Sequence, residues 1–352
     1  MKKKFMFPLI IFLILFSLII GSVLFFILET KPVCNDDNAY TVKINIPSGM
    51  SIKSASLLLE KEKLIKNGNI FYFCAKYPYL LKFTNVDKTH LENFVLKSGI
   101  YNLSSNMNYY QIMNTLSSGQ QEFIKVSIPE GLTITKIGEI LDKNNLCSVQ
   151  EFRELCYDKN IIESFGIENS SLEGYLFPDT YFFTLGMKPI EIITIMVDNF
   201  NNKILQINNA SLLTKKELNN AVILASIVER EYQVDEEAPL IASVFKNRLK
   251  RNIGLYSCAT IEYIITEIQQ KPHPEQILIE DTKIDSPYNT YKWAGLTPGP
   301  ISNPGLVALS AAINTPSTNY YFFQVVDSSS GKHFFTETFE EHKINHNLNL
   351  KK

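Results

Sequence analysis

The stretch "AVILASIVERE", residues 221–231, joins an apolar run to three charged residues. Residues 221–228 are apolar except for one serine, and Glu229 follows them directly. A helix that is apolar on nearly all sides is buried in a core. The stretch therefore predicts a buried helix with a carboxyl group at the point where its buried part ends.

Upstream residues predict where this helix begins. Thr214 and Glu217 stand three positions apart, and a hydroxyl followed at that spacing by Glu is the pattern of a capping box. The helix should therefore start just after Thr214 and run to about Gln233. Its spacing places Glu229 on a face that continues the core.

Two interpretations of Glu229 follow from the residues alone. In the first, Glu229 forms a structural ion pair with Arg230 or Lys246, as many helix-end carboxylates do. In the second, the carboxyl lies in a partly apolar wall, where desolvation raises its pKa and keeps it protonated near neutral pH. Such a group can donate a proton to a leaving glycosidic oxygen.

The composition limits the classes of protein that fit. The chain has 352 residues, 45% of them hydrophobic and 20% charged, so it can bury a core of more than one domain. Its net charge of −2 argues against nucleic acid as a partner, because proteins that bind polyanions are normally basic.

The N-terminus predicts a membrane segment. Residues 1–4 carry three lysines, and residues 5–28 are uncharged and long enough to cross a bilayer, for which about 20 residues suffice. The lysines should stay in the cytoplasm, which places the chain after Glu29 outside. A cleaved signal peptide is the alternative, but it would have a shorter apolar part and end in small residues, whereas residues 25–28 are large and apolar.

An internal repeat follows the membrane segment. Residues 42–65, "VKINIPSGMSIKSASLLLEKEKLI", resemble residues 124–147, "IKVSIPEGLTITKIGEILDKNNLC". Each copy reads as an alternating strand, a Pro-x-Gly turn and an amphipathic helix. These small modules resemble the LysM type, which grips glycan chains. We predict a first LysM-like module with linker over 40–122 and a second repeat module over 123–168.

Cysteine and histidine give no sign of a metal. The five cysteines have no zinc-like spacing, and we expect most of them to be buried free thiols. His342 and His346 are one helical turn apart near the C-terminus, but no third ligand accompanies them. We expect no metal and no cofactor.

Several motifs together resemble one known family. They are "ILASIVERE" (223–231), "LEGYLFPDTY" (172–181), "ASVFKNRL" (242–249), "SPYNTYKWAGLTPGPISNPG" (286–305) and "HFFTETFEEH" (333–342). Their sequence and order resemble the endolytic murein transglycosylases, or YceG-like family, over nearly the whole chain. The resemblance implies an α+β fold class: an N-terminal transmembrane helix, the small LysM-like α/β modules and an α+β catalytic domain over 169–350.

The resemblance also implies an activity. The family cuts peptidoglycan strands outside the cytoplasmic membrane between N-acetylmuramic acid and N-acetylglucosamine, without water, and leaves 1,6-anhydro ends. Its catalytic acid falls on Glu229. A single carboxyl is enough because the sugar's own 6-hydroxyl is an already positioned nucleophile. Two alternatives stay open: a non-catalytic wall-binding scaffold, and a muramidase that uses water.

Further site residues come from the other motifs. Asn and Thr can hold an acetamido group and Tyr can stack on a sugar. The alternative for Glu173 is a turn carboxylate that bonds backbone amides, and the alternative for residues 288–291 is a simple turn. The substrate-binding candidates are Glu173, Tyr175, Tyr288, Asn289, Thr290 and Asn303, with Asn303 weaker than Asn289.

One position departs from the family pattern. Many members carry Asp followed by Pro or Ala where this chain has Cys258-Ala259, and we expect Cys258 to be a small buried residue. The partners that the resemblance implies are glycan strands, peptidoglycan synthases and, through one helix, the membrane.

Overall fold

A computed structural model describes residues 6–34, 38–47, 49–83, 94–118, 123–327 and 330–349. The chain divides into two compact units, one of residues 1–124 with 183–188 and the other of residues 125–182 with 189–352. Helices dominate both, and the strands form three two-stranded sheets among the described residues. The predicted mixture of helix and sheet is confirmed. The predicted domain boundaries stay a prediction.

The first unit begins with α1 (Met6–Glu29), which is continuous through the apolar N-terminal segment. Its residues 12–29 are long and apolar enough to cross a membrane, and none of them is buried inside the protein. An anchor and a signal sequence both meet this description. The charged residue that ends the helix, Glu29, is also where the apolar segment ends.

The remainder of the first unit is a small sheet covered by helices. Strand β1 (Thr41–Ile46) pairs antiparallel with β2 (Gly99–Ser104), and Ile46 lies opposite Gly99. Between the two strands lie α2 (Ile52–Lys61) and α3 (Gly68–Lys76), and α4 (Tyr109–Ser118) follows. The alternation seen in the sequence is real, since Ile44 and Ile46 are buried with the inward faces of α2 to α4.

The second repeat copy follows the same order, and most of it belongs to the second unit. Strand β3 (Phe123–Ser127) leads to α5 (Ile134–Lys143), α6 (Val149–Cys156) and α7 (Lys159–Ser164), and β4 (Thr180–Thr184) pairs with β3. Helices α5 and α6 start at Thr133 and Ser148, whose side chains accept from backbone N–H groups of the first turn.

The large core of the second unit surrounds α9. Five helices supply most of it: α8 (Pro189–Ile204), α9 (Lys215–Val228), α10 (Ala238–Lys250), α11 (Cys258–Tyr263) and α12 (Leu306–Ile313). Residues 222–228 of α9 are all buried, as its apolar composition predicts. A π-helical turn (Ile264–Ile268) continues α11.

The start of α9 matches the prediction and its end does not. Thr214 and Glu217 form the capping box, with both reciprocal bonds present. The helix ends at Val228 rather than near Gln233. The N–H groups of Arg230 and Glu231 bond to carbonyls three residues back, so the backbone tightens into turns after Glu229.

A hairpin and a helix close the described chain. Strand β5 (Phe322–Asp327) pairs antiparallel with β6 (Lys332–Thr336), and α13 (Phe339–Asn349) follows. The side chain of His346 lies outside the described residues.

Candidate active site

Hydrogen bonds of the backbone and the side chain hold Glu229 at the end of α9. Glu229 is the C-terminal cap residue, still in helical conformation, and its N–H donates to Ala225 O at 2.8 Å. The side chain is only partly exposed. Gly305 N–H donates to Glu229 Oε2 at 2.9 Å, and the Tyr232 hydroxyl lies 3.4 Å from both carboxyl oxygens.

The ion-pair interpretation of Glu229 is wrong for this structure. Among the described residues, no ion pair within 4.0 Å involves Glu229. Arg230, the adjacent cation, instead pairs with Glu262 at 2.8 Å. The Glu229 carboxyl therefore has hydrogen-bond donors but no neutralising partner in the part of the chain that the structure describes.

The surroundings of Glu229 favour its protonated form. Burial is the largest cause and, with the nearby Glu130 and Asp235 carboxylates, raises the pKa of Glu229 to about 7. The Gly305 N–H and the Tyr232 hydroxyl act in the opposite direction, because both bond to the charged carboxylate. Glu229 therefore exchanges its proton in the neutral pH range, well above the usual range of a carboxyl group.

The Gly- and Pro-rich loop, residues 295–305, is hydrogen-bonded to the last turns of α9. Ile301 N–H donates to Ser226 Oγ at 3.0 Å, and Ser302 Oγ donates to Ser226 O at 2.9 Å. Ser226 is the one polar residue in the apolar run, and its role is to bind this loop. The loop then reaches Glu229 through Gly305.

Asn303 ties the loop to two other motifs. Its fully buried side chain accepts hydrogen bonds from Gly174 N–H and Leu176 N–H at 2.9 Å each. It donates to Leu132 O at 2.9 Å and to Glu173 Oε1 at 2.7 Å. Asn303 thus joins the "LEGYLFPDTY" motif and the second repeat copy to the loop beside Glu229.

Glu173 is inside the protein. It is fully buried, and Ile134 N–H at the start of α5 donates to its carboxyl at 3.0 Å. Burial and the Glu267 carboxylate raise the pKa of Glu173 well above its usual range. These contacts match the interpretation of a carboxyl that bonds backbone amides. Contact between Glu173 and a substrate stays a prediction.

Tyr175, from the same motif, also packs inward. It is buried edge-to-face against Phe200, and its hydroxyl donates to Asn219 Oδ1 at 2.8 Å. Its contact with a sugar is likewise a prediction.

The side chains of the polar–aromatic run at 288–290 contact neighbouring loops and helices. Asn289 is fully buried and donates to Thr282 O and Ile284 O at 2.9 and 2.7 Å. Thr290 Oγ1 accepts from Ser257 N–H at 3.1 Å, and Tyr288 is half-buried with its ring 5.2 Å from that of Tyr263. The structure thus gives all three residues internal partners, and their predicted roles in substrate binding stay predictions.

The cysteines differ from expectation in their burial. All five are free, but only Cys74 and Cys156 are buried. The expectation that Cys258 is buried is wrong, because it is exposed at the start of α11 with its Sγ 3.0 Å from the Tyr291 hydroxyl. The reason is its position, since Cys258 is the first residue of a short helix whose inward face begins at Thr260.

Glu130 is a site residue that the sequence argument missed. It lies in the Pro-x-Gly turn of the second repeat copy, and its carboxylate is one of the groups that raise the pKa of Glu229. The sequence contained a hint of this role, because the two repeat copies differ here and the first copy has the uncharged Ser48 at the matching position.

In the described part of the chain, no cluster of three or more His, Cys, Asp or Glu side chains has the arrangement of a metal site.

This fold and site define a class of protein: a protein of mixed helix and sheet in which a carboxyl of raised pKa lies at the end of a buried helix, hydrogen-bonded to a Gly/Pro-rich loop. The chain belongs to the YceG-like family, whose model matches residues 44–348.

Relatives and a solved structure agree with this assignment. The chain is 30% identical over 341 residues to the endolytic murein transglycosylase of Bacillus subtilis (strain 168), covering 92% of this chain and 89% of that protein. It is 32% identical over 335 residues to the endolytic murein transglycosylase of Streptococcus pneumoniae (strain ATCC BAA-255 / R6), covering 86% of this chain and 57% of that longer protein. A crystallised YceG-like protein from Listeria monocytogenes matches with a TM-score of 0.56 and 31% identity, covering 87% of this chain and 99% of that one.

Proposed function

We propose that this protein is a lytic transglycosylase that cuts peptidoglycan strands internally, between N-acetylmuramic acid and N-acetylglucosamine. The observation that carries the proposal is the Glu229 carboxyl, which lies at the end of a buried helix, is paired with no cation among the described residues and has a pKa of about 7. The names of the Bacillus and Streptococcus relatives support the same activity.

The chemistry needs one group that first gives a proton and then takes one. The protonated Glu229 donates to the glycosidic oxygen as the bond from that oxygen to C1 of the muramic acid breaks. The sugar's 6-hydroxyl oxygen bonds to C1, and the Glu229 carboxylate accepts the proton that this hydroxyl loses. The sum is one bond broken and one bond formed, with no water consumed and the acid restored.

The hydrogen bonds to Glu229 fit both halves of this cycle. Gly305 N–H donates to Oε2 and stabilises the carboxylate after proton transfer. Burial and the acidic neighbours stabilise the protonated form before it. A group whose pKa lies near the working pH is effective both as the acid and as the base, because both of its protonation states are readily reached.

A cleft beside α12 offers a place for the strand. It has a volume of about 520 Å³, and its apolar lining includes Leu306, the residue after Gly305. The lining also has amide, carboxylate and hydroxyl side chains of the kind that bind hexosamine hydroxyls: Gln206, Asn208, Asp235, Ser310 and Asn314. We place one saccharide of the substrate there.

The membrane and the repeats complete the proposal. Helix α1 anchors the enzyme with residues 30–352 outside the cytoplasmic membrane, where new strands emerge and where peptidoglycan synthases are its neighbours. The repeat copies act as LysM-like glycan-holding modules. This is supported by their shared order, in which a strand, two or more helices and a second strand close a two-stranded sheet.

The test separates lyase from hydrolase and from scaffold. Full-length protein in detergent is incubated with purified peptidoglycan in water enriched in oxygen-18, and the products are analysed by mass spectrometry. We expect anhydro-ended fragments without oxygen-18. Reducing ends that carry oxygen-18 would make the protein a muramidase, and an absence of fragments would leave only the scaffold.

A further inference from the structure

The turn of the second repeat copy is hydrogen-bonded to the loop that holds Glu229. Gly131 N–H donates to Asn303 O at 2.9 Å, and Asn303 N–H donates to Leu132 O at 2.8 Å. Glu130 is the residue before Gly131. Its position beside the loop is therefore set by two backbone hydrogen bonds and does not depend on its own side chain.

Gly305 leaves room for the Glu130 carboxylate beside the loop that binds Glu229. A Cβ atom at Gly305 would lie 1.8 Å from Glu130 Oε1, so the Glu130 carboxylate occupies the space of the missing side chain. The N–H of the same Gly305 donates to Glu229 Oε2. A Cβ atom at Gly131 would lie 3.5 Å from Glu229 Cγ. One glycine residue thus contacts both carboxyl groups.

The charges around Glu229 are mostly negative. Glu130 faces it from the turn and Asp235 from the short helical turn Asp235–Glu237, and both carboxylates raise its pKa. The segment after α9 contributes the neutral Tyr232, and Arg230, which is paired with Glu262.

The other groups nearby are already bound or uncharged. Glu231, next along the chain, accepts a hydrogen bond from Ser257 Oγ at 2.5 Å. The loop residues 303–305 carry no titratable side chain. Glu130 is therefore a second carboxylate beside the proposed acid, and no described cation is paired with Glu229 itself.

We propose that Glu130 is a positioning residue whose negative charge keeps the proton on Glu229 until the substrate accepts it. Burial and the Asp235 carboxylate raise the pKa of Glu130 as well, but Glu130 is the more exposed acid, so it ionises first and its charge disfavours ionisation of the more buried Glu229. The matching position in the first copy is Ser48. At this position the second copy therefore has a charged side chain, beside Glu229, where the first copy has an uncharged one. This inference rests on the proposed function.

The test is the pH profile of kcat/KM for strand cleavage by full-length protein in detergent. Cleavage requires protonated Glu229, so kcat/KM of the wild type falls as pH rises through about 7. In Glu130→Gln the high-pH limb should move about half a pH unit toward acid, which is about a threefold loss at pH 8 and little change at pH 5. Glu130→Asp keeps the charge and should keep the limb in place.

Two further variants make the result decisive. Glu139→Gln removes an exposed carboxylate of the same repeat copy, one paired with Lys136 at 2.9 Å, and should give the wild-type profile. Glu130→Ser places the residue of the first copy in the turn, and serves where the Gln variant folds poorly. A limb that stays in place in both uncharged variants, with cleavage lowered equally at every pH, would overturn the inference. A wild type that cleaves nothing would instead overturn the proposed function, and this inference with it.

Discussion

At Glu229, opposing contributions bring the pKa of the carboxyl close to neutral pH. Burial and the Glu130 and Asp235 carboxylates favour the protonated form, while Gly305 N–H and the Tyr232 hydroxyl favour the charged form. Either set alone would give a poor catalyst, because a strongly held proton is not donated and a weakly held one is absent at pH 7. The balance suits one group that acts as acid and then as base.

The raised pKa of Glu229 also predicts how stability depends on pH. The carboxyl is protonated in the folded chain up to about pH 7 but ionises near 4.5 when unfolded, so the free energy of unfolding falls as pH rises from 4.5 to 7. Glu229→Gln lacks this titration. We expect the variant to gain about 2 to 3 kcal/mol over the wild type between pH 4 and pH 8. The measurement is urea unfolding of both full-length proteins across that range, and a constant difference would contradict the raised pKa.

Among the elements, α9 and the loop at 295–305 act together. The helix supplies a rigid, buried support, and the loop binds its last turns through Ser226 and Glu229. A site supported in this way keeps its geometry when the start of α9 is weakened, because the stabilising contacts lie at the other end of the helix.

Thr214→Ala tests this division within α9. The variant loses the capping bond to Glu217 N–H, which should lower the free energy of unfolding by about 1 kcal/mol. Cleavage at 25 °C should stay within twofold of the wild type. Lys216→Ala, an exposed residue of the same turn, is the control and should change neither quantity. A loss of cleavage in Thr214→Ala larger than its loss of stability explains would contradict the argument.

Local signals in the sequence predicted the elements well. The capping box at Thr214 gave the start of α9, and alternation gave β1 and β3, because both depend on neighbours in the chain. The end of α9 and the contacts of Glu130 were not predictable in this way. Glu130 and the Glu229 carboxyl both contact Gly305, which is far along the chain, and proximity across such a distance leaves no periodic trace in the sequence.

At the scale of the whole molecule, the two repeat copies have different surroundings. The first copy lies in one compact unit with α1, and the second lies in the other unit with Glu229. One duplicated module thus accompanies the proposed anchor and the other supplies Glu130 to the proposed site.

Membrane anchoring and sidedness give a prediction at this scale. The full-length chain should stay in the membrane fraction after an alkaline wash, with its N-terminal residues still present. A membrane-impermeant maleimide should modify the exposed Cys258 in spheroplasts, and Cys258→Ala should lose this labelling. A soluble mature chain that begins after residue 28 would show a signal sequence instead, and labelling only after lysis would place Cys258 inside the cell.

The central claim is that the Glu229 proton breaks the glycan strand, and the most direct measurement is the cleavage rate of Glu229→Gln. Gln keeps the size of the side chain and an oxygen for the Gly305 N–H, but it has no proton to donate at any pH. We expect at least a thousandfold loss of anhydro-ended products, as for removal of an essential acid, in a protein that still unfolds cooperatively. Cleavage by the folded Gln variant at a rate near that of the wild type would contradict the account.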